Sequence, residues 1–525
     1  MSGPSPFSIL LALPIDACYT GGQSDGLLTR EEGPASTEQD RGFVIQRLFR
    51  TKSIDRILSD ADHPQHRLKR TLSAWDLTGL GIGAIIGTGI FVLIGTAIVG
   101  DAHRPGAGPG IILSFILSGL TCVLAALCYA EFAAMIPVAG SAYTYSYATL
   151  GEFLAWITGW NLILEYGVAC VAVAIGWSGY FNNLLLLAGI HLPDWATHAP
   201  GGPEGGIANF PAAIIVLLVT IILVIGIKES ARATGIIVCL KLVVILFFIA
   251  VGAPAVTPGN WTPFMPQGFA GVSAAAATVF FAYIGFDAIT TTAEEARNPQ
   301  RDLPVGIMAA LGICTILYVA VAAVLTGLVP SDQIDIHAPV AEALRMVGYP
   351  WGAAVVAIGA VAGITSVLVV MMLGQIRVFF AISRDGLLNP WLSAVHPRYG
   401  TPHHATWLTG IAVAIMAALV PIGTAADMTN IGTFFAFTLV CIGLIVLRYT
   451  RPNYPRPFKT PFMPWVAIFG ALSCLALMWQ LPALTWHRFV WWTIGGIVLY
   501  GIYGMRHSKL ATVQGHESTL PSDTH

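Results

Sequence analysis

The chain has 525 residues, of which 55% are hydrophobic and only 10% charged, with a net charge of −2. A soluble domain carries about 25% charged residues. No water-soluble core of this length hides so much apolar surface, so the composition excludes a soluble globular protein and points to an all-α polytopic membrane protein.

Residues 1–42 are polar and rich in Gly, Ser and Pro, with one short apolar run, Phe7–Leu13. They lack the basic leading segment of a signal peptide, and are expected to be a disordered tail or an extension from a start site placed too far upstream. From residue 43 to 72 the chain is basic and amphipathic, and is expected to lie along the inner membrane face.

A span needs about 20 apolar residues. Twelve candidates follow, at about 74–99, 109–136, 153–189, 207–226, 234–252, 268–294, 304–329, 351–382, 404–423, 428–447, 463–482 and 488–506, and a disordered tail is expected at 510–525. Twelve spans put both termini on one side. With that side inside, the inner segments hold 22 of the 26 basic residues, and the outer loops hold Arg104, Arg345 and Arg488. This asymmetry sets the orientation. Of the eight cysteines, all but Cys18 fall in apolar stretches. They read as small buried hydrophobes, with no disulfide framework or metal spacing.

The first span contains Gly79, Gly81, Gly83, Gly87 and Gly89 within G-L-G-I-G-A-I-I-G-T-G-I-F, residues 79–91. Each glycine costs a helix about 1 kcal/mol relative to alanine. Their density predicts either a break or a very close helix contact, since Gly79, Gly83 and Gly87 also form G-x-x-x-G steps. A break at membrane depth is tolerated only where it lines a cavity or is buried in protein. The sixth span is interrupted midway by Gly285 and Asp287, in F-F-A-Y-I-G-F-D, residues 280–287. Broken helices at matching places in two halves of a chain point to a transporter site at the midplane. One half-helix end presents N–H donors and the other presents carbonyls, a pair suited to the carboxylate and ammonium of an amino acid. Two ionisable residues lie deep in apolar sequence, Glu165 in the third span and Lys241 in the fifth. Such groups are functional candidates by default.

The segments 81–91, P-V-A-G-S-A-Y-T-Y-S-Y (137–147), 280–287, E-E-A-R-N-P-Q-R-D-L-P (294–304) and G-Q-I-R-V-F-F-A-I-S-R-D-G-L-L (374–388) resemble the amino acid–polyamine–organocation superfamily, most closely its cationic amino acid transporter family and bacterial-type amino acid permeases. The resemblance covers about residues 45–506. It implies a five-plus-five inverted repeat of the LeuT-like type, with repeats at 73–252 and 268–447, broken helices 1 and 6, and two further spans within 448–506. It implies that backbone amides of Gly87, Thr88 and Gly89 hold a substrate carboxylate. Carbonyls near Ile85, Phe281, Ala282 and Ile284 would hold the α-amino group, and Met371 would face the substrate side chain. Lys241 would lie where sodium-coupled relatives place an ion, which favours proton coupling or the absence of a sodium requirement. Glu165 is a second coupling candidate. Asp287, Glu294, Glu295 and Arg377 are expected at a gate: Asp287 would fix the sixth-span half-helix by bonding its free N–H groups, and Glu294 and Glu295 would approach the inner surface with Arg297, Arg301, Arg377 and Arg384. Thr88, Thr290, Tyr283 and Asn161 are further polar candidates.

The expected function is secondary transport of small or neutral L-amino acids, proton-coupled, by alternating access. Exchange of two amino acids, or transport of arginine or lysine, stays open, as does an amino acid sensor without transport. No channel-like rings, catalytic sets, cofactor or metal sites are apparent. The expected partners are an amino acid, protons and membrane lipid, with no nucleic acid; a small membrane subunit is unknown. The expected location is the plasma membrane.

Overall fold

In a computed structural model of the protein, the described residues are 49–61, 70–101, 104–138, 140–200, 205–226 and 231–510. The expected tails at 1–42 and 510–525 fall outside them, save Leu510. The chain divides into two units, Met1–Gln46 and Arg47–His525, and every described residue belongs to the second.

The sequence folds into helices α1 (Ile54–Ala61), α2 (Ala74–Ile85), α3 (Ile94–Val99), α4 (Ile111–Met135), α5 (Ser141–Thr149), α6 (Glu152–Leu187), α7 (Phe210–Ile225) and α8 (Ala231–Gly252). Helices α9 (Gly268–Val279), α10 (Pro299–Leu328), α11 (Pro339–Met346), α12 (Pro350–Arg384), α13 (His403–Leu419), α14 (Ile422–Thr450), α15 (Trp465–Trp479) and α16 (Ala483–Leu499) follow. The described strands are a two-residue hairpin, Gly100–Asp101 against Arg104–Pro105. Among the described residues seven helices are long and apolar enough to cross a membrane. Two bent pairs, α2 with Gly89–Val99 and α15 with Ala483–His507, raise the number to nine. Helices α7 and α13 stop at 16 and 17 residues, about 25 Å at 1.5 Å per residue. Both are shorter than expected because their ends are fixed. Asn209 caps α7, its side chain accepting from the Ala212 N–H at 3.1 Å, and Gly226 ends it in the left-handed region at φ 72°. Pro402 and Pro421 flank α13.

The apolar surface divides as a membrane requires. Residues such as Ile214, Leu218 and Ile221 on α7, Ile316 on α10 and Leu472 on α15 point outward. The long helix α6 is mostly buried and packs against α12 and α14. Most of the described cysteines are buried as expected, but Cys239 is exposed on the outward face of α8. Helix α1 docks on the protein itself, with Ile54 and Ile57 buried and Lys52 paired to Asp385 at 3.5 Å.

Polar ties hold the bundle at set heights. Ser114 and Ser118 on α4 donate to the Val272 and Ala276 carbonyls of α9 at 2.8 and 2.7 Å. Glu131, wholly buried, accepts from Arg448 and from the Thr460 N–H, both at 2.7 Å, and sits 3.4 Å from Arg456. At the end carrying the hairpin, buried Arg104 reaches Asp427 of α14 at 2.7 Å and Asp101 at 2.8 Å. Removing one partner of a buried pair strands the other charge, at a cost of about 3–5 kcal/mol. Asp427→Ala is therefore expected to lower the thermal unfolding midpoint of the purified protein by several degrees; a midpoint unchanged from the parent would contradict the anchoring role.

Candidate functional site

Helix α2 begins with a capping box. Ser73 accepts from the Asp76 N–H at 3.3 Å, and the Asp76 carboxylate accepts from the Ser73 N–H at 2.9 Å. It ends at Ile85, where Ile86 turns to extended backbone, and the axis resumes beyond Gly89 after a bend of 43°. A helix end leaves its last four carbonyls without intrahelical partners, and here donors arrive from other helices. The Lys241 ammonium of α8 donates to the Gly83 carbonyl at 2.5 Å. The Tyr318 hydroxyl of α10 lies 3.0 Å from the Ile85 carbonyl and 2.9 Å from the Ala282 carbonyl. A positive charge also suits the C-terminal end of the helix dipole. Lys241 is fully buried, and its alkyl stem lies against Gly363 of α12, where an added Cβ would come within 3.0 Å of it.

The second break follows α9. Phe280–Tyr283 tightens into a 3-10 turn, Ile284 is extended, and Gly285 takes φ 115°, which only glycine adopts without strain. A second 3-10 stretch covers Asp287–Glu295. The two breaks touch. A Cβ on Gly89 would run into the backbone of Ala282, and one on Gly87 would lie 2.8 Å from Val367 of α12.

Around this contact lies a cavity of about 10 Å³, lined by Ala84, Ile85, Gly87, Thr88 and Gly89 of the first break, Phe281 and Ile284 of the second, Ala169 and Val173 of α6, and Val367 and Met371 of α12. Seven of the eight residues expected at a substrate site line it. Ala282 stands behind, against Gly89. The space is about that of one water probe, so the two breaks close on each other. Thr88 places no side-chain hydrogen bond on the turn that follows; its hydroxyl lies 3.5 Å from the Val173 carbonyl of α6. A second, larger cavity of about 420 Å³ lies between α6 and the loops around His198, His337 and Pro421. Between the two, Gly176 of α6 fits against Thr88 and Val92, and the Tyr180 hydroxyl donates to the Phe91 carbonyl at 2.7 Å.

Glu165 is fully buried on α6, with neither carboxyl oxygen hydrogen-bonded. Asp287 is close enough to act on it electrostatically. Asp287 itself takes a hydrogen bond from the Tyr166 hydroxyl on one oxygen, while its other oxygen has no partner. It is thus joined to α6. Of the residues expected at a gate, Arg377 lies 3.8 Å from Glu295 and also donates to Thr291 at 3.3 Å. Both side chains are about a third or more exposed, so the pair contributes at most about 1 kcal/mol. Arg297 instead donates to the Thr71 carbonyl at 2.9 Å. Of the other polar candidates, Thr290 donates to the Asp287 carbonyl at 2.6 Å, Tyr283 to the Phe115 carbonyl at 2.8 Å, and Asn161 to the Ile157 carbonyl of its own helix at 2.9 Å. Among the described residues no group of three or more His, Cys, Asp or Glu is placed to hold a metal ion.

Two residues of this centre escaped the sequence reading, Tyr166 and Tyr318. Tyr166 directly follows Glu165 and Tyr318 stands in an aliphatic run, and neither position announces the partner of its hydroxyl.

The sequence profile of a family described as amino acid permease matches residues 72–502. The chain is 51% identical over 466 residues to the branched-chain amino acid permease BcaP of Bacillus subtilis (strain 168), and 49% identical over 463 residues to the methylthioribose transporter of the same organism. Each alignment covers 88% of this chain and 99% of the relative. It is 38% identical over 493 residues to cationic amino acid transporter 1 of Arabidopsis thaliana, covering 89% of this chain and 81% of that protein.

Overpacking a tight contact costs about 1–3 kcal/mol. Gly89→Ala is expected to lower the thermal midpoint and abolish substrate binding. Gly235→Ala, where an added Cβ meets nothing within 4 Å, is expected to leave both intact. Equal behaviour of the two variants would show that the breaks do not need their close approach.

Proposed function

The chain belongs to the amino acid permease family, and from that premise we propose that it is a secondary transporter carrying small or neutral L-amino acids across the plasma membrane, with protons, by alternating access. The observation that carries this reading is the junction of the two breaks. There, Ile85, Gly87, Thr88 and Gly89 of the first break and Phe281 and Ile284 of the second line one small cavity. A zwitterion matches such a pair of helix ends at both charges.

We read the chain as twelve spans with both termini cytoplasmic, the shorter helices α7 and α13 and the hairpin of α15 with α16 completing the set. Spans 1–5 and 6–10 form two inverted repeats, 73–252 and 268–447. The cavity near His198 and His337 is then the approach from outside, and the Arg377–Glu295 pair belongs to the inner gate.

Val367, Met371, Phe281 and Ile284 wall the cavity with hydrocarbon and sulfur, which suits an apolar side chain. No acidic side chain lines it to receive a guanidinium or a second ammonium. The relative named for branched-chain amino acids supports the same substrate range. The one named for methylthioribose adds a compound to the substrate screen.

Lys241 donates to a carbonyl at the broken end of α2. A resident ammonium there does the work of a bound metal cation, so transport needs no sodium. We assign proton movement to Lys241 and to Glu165, whose buried carboxyl beside Asp287 has no hydrogen-bond partner.

Proteoliposomes holding the purified protein are expected to accumulate labelled alanine or leucine under an inward proton gradient, equally in sodium and in choline buffer. Lys241→Met and Glu165→Gln are each expected to cut that accumulation at least tenfold. Uptake only into vesicles preloaded with amino acid would replace symport by exchange. Accumulation unaltered by either substitution would remove that residue from coupling.

A further inference from the structure

Tyr318 is wholly buried on α10. Its ring is held between Phe115 and Tyr283, with ring centroids 5.4 Å away in both cases. Its hydroxyl faces two carbonyls, those of Ile85 and Ala282, at 3.0 and 2.9 Å. These belong to the broken ends of the two discontinuous spans, so one hydroxyl spans both breaks. It carries a single hydrogen. At any moment one carbonyl accepts it and the other is left short, beside a cavity whose space is about that of one water probe. An unmatched buried carbonyl is costly. A substrate ammonium brings three donors to the same place and removes the shortage.

We propose that the Tyr318 hydroxyl takes the place of the substrate ammonium on the Ile85 and Ala282 carbonyls while the transporter is unloaded, and so permits the unloaded protein to return across the membrane. The proposal rests on the amino acid reading given above. Tyr318 is a positioning residue for the unloaded half of the cycle. In the loaded half the substrate supplies the donors and the hydroxyl is dispensable.

The test separates the two halves. Reconstituted protein is assayed with the amino acid it takes up best among alanine, valine, leucine and arginine. Net uptake into substrate-free vesicles requires the unloaded return, and exchange into preloaded vesicles does not. Tyr318→Phe is expected to lower net uptake about tenfold and to leave exchange within twofold of the parent. Replacement of Tyr318 by p-aminophenylalanine, whose amino group carries two hydrogens, is expected to restore net uptake to at least the parent rate. This second variant decides the matter if the phenylalanine variant does not fold. Equal losses in net uptake and exchange, or failure of the amino analogue to support net uptake, would overturn the proposal. The amino acid reading is checked apart, in the unaltered protein. There the N-acetyl derivative of the same amino acid is expected to compete at least tenfold more weakly than the parent compound. Competition of equal strength would overturn the ammonium reading itself, whatever the Tyr318 variants do.

Discussion

A broken helix inside a membrane exposes carbonyls that no water can satisfy, and much of this protein's centre is arranged to supply their donors. The end of α2 receives the ammonium of Lys241 on Gly83 and the hydroxyl of Tyr318 on Ile85. The same hydroxyl reaches Ala282 in the other break. These donors come from α8 and α10, so each also fixes a neighbouring helix against the first span.

The second requirement is nearness. Gly89 lies on the backbone of Ala282, Gly87 on Val367, Gly83 on Val238 and Gly176 on Thr88. These glycines lower helix stability and let five spans approach closely around the first break. The recognition through backbone groups proposed above requires this closeness. Met371 and Phe281 form part of an apolar wall beside it.

Much of this was legible in the amino-acid sequence. The glycine cluster at 79–91 and the Gly285–Asp287 interruption marked the breaks, because so many glycines weaken an apolar span unless a break or a close contact requires them. Lys241 and Glu165 stood out because charge is rare at that depth. Tyr318 and Tyr166 did not, since a tyrosine among aliphatic residues reads as packing until its hydroxyl partner is known. The partnership of Asp287 with Tyr166 is likewise invisible along the chain, where the two lie 121 positions apart. The buried cluster of Glu131 with Arg448 and Arg456 was hidden for a related reason: its basic members sit in a segment whose charges membrane orientation already accounts for. The shorter reach of α7 and α13 depended on caps and prolines whose effect hydropathy alone does not register.

The cavity between the two breaks, about 10 Å³, bears on more than recognition. A membrane at work is a charged capacitor, and any continuous thread of water through a protein would discharge it. With its breaks pressed together, the protein is a dielectric plug at this junction and can sit in an energised membrane without short-circuiting it.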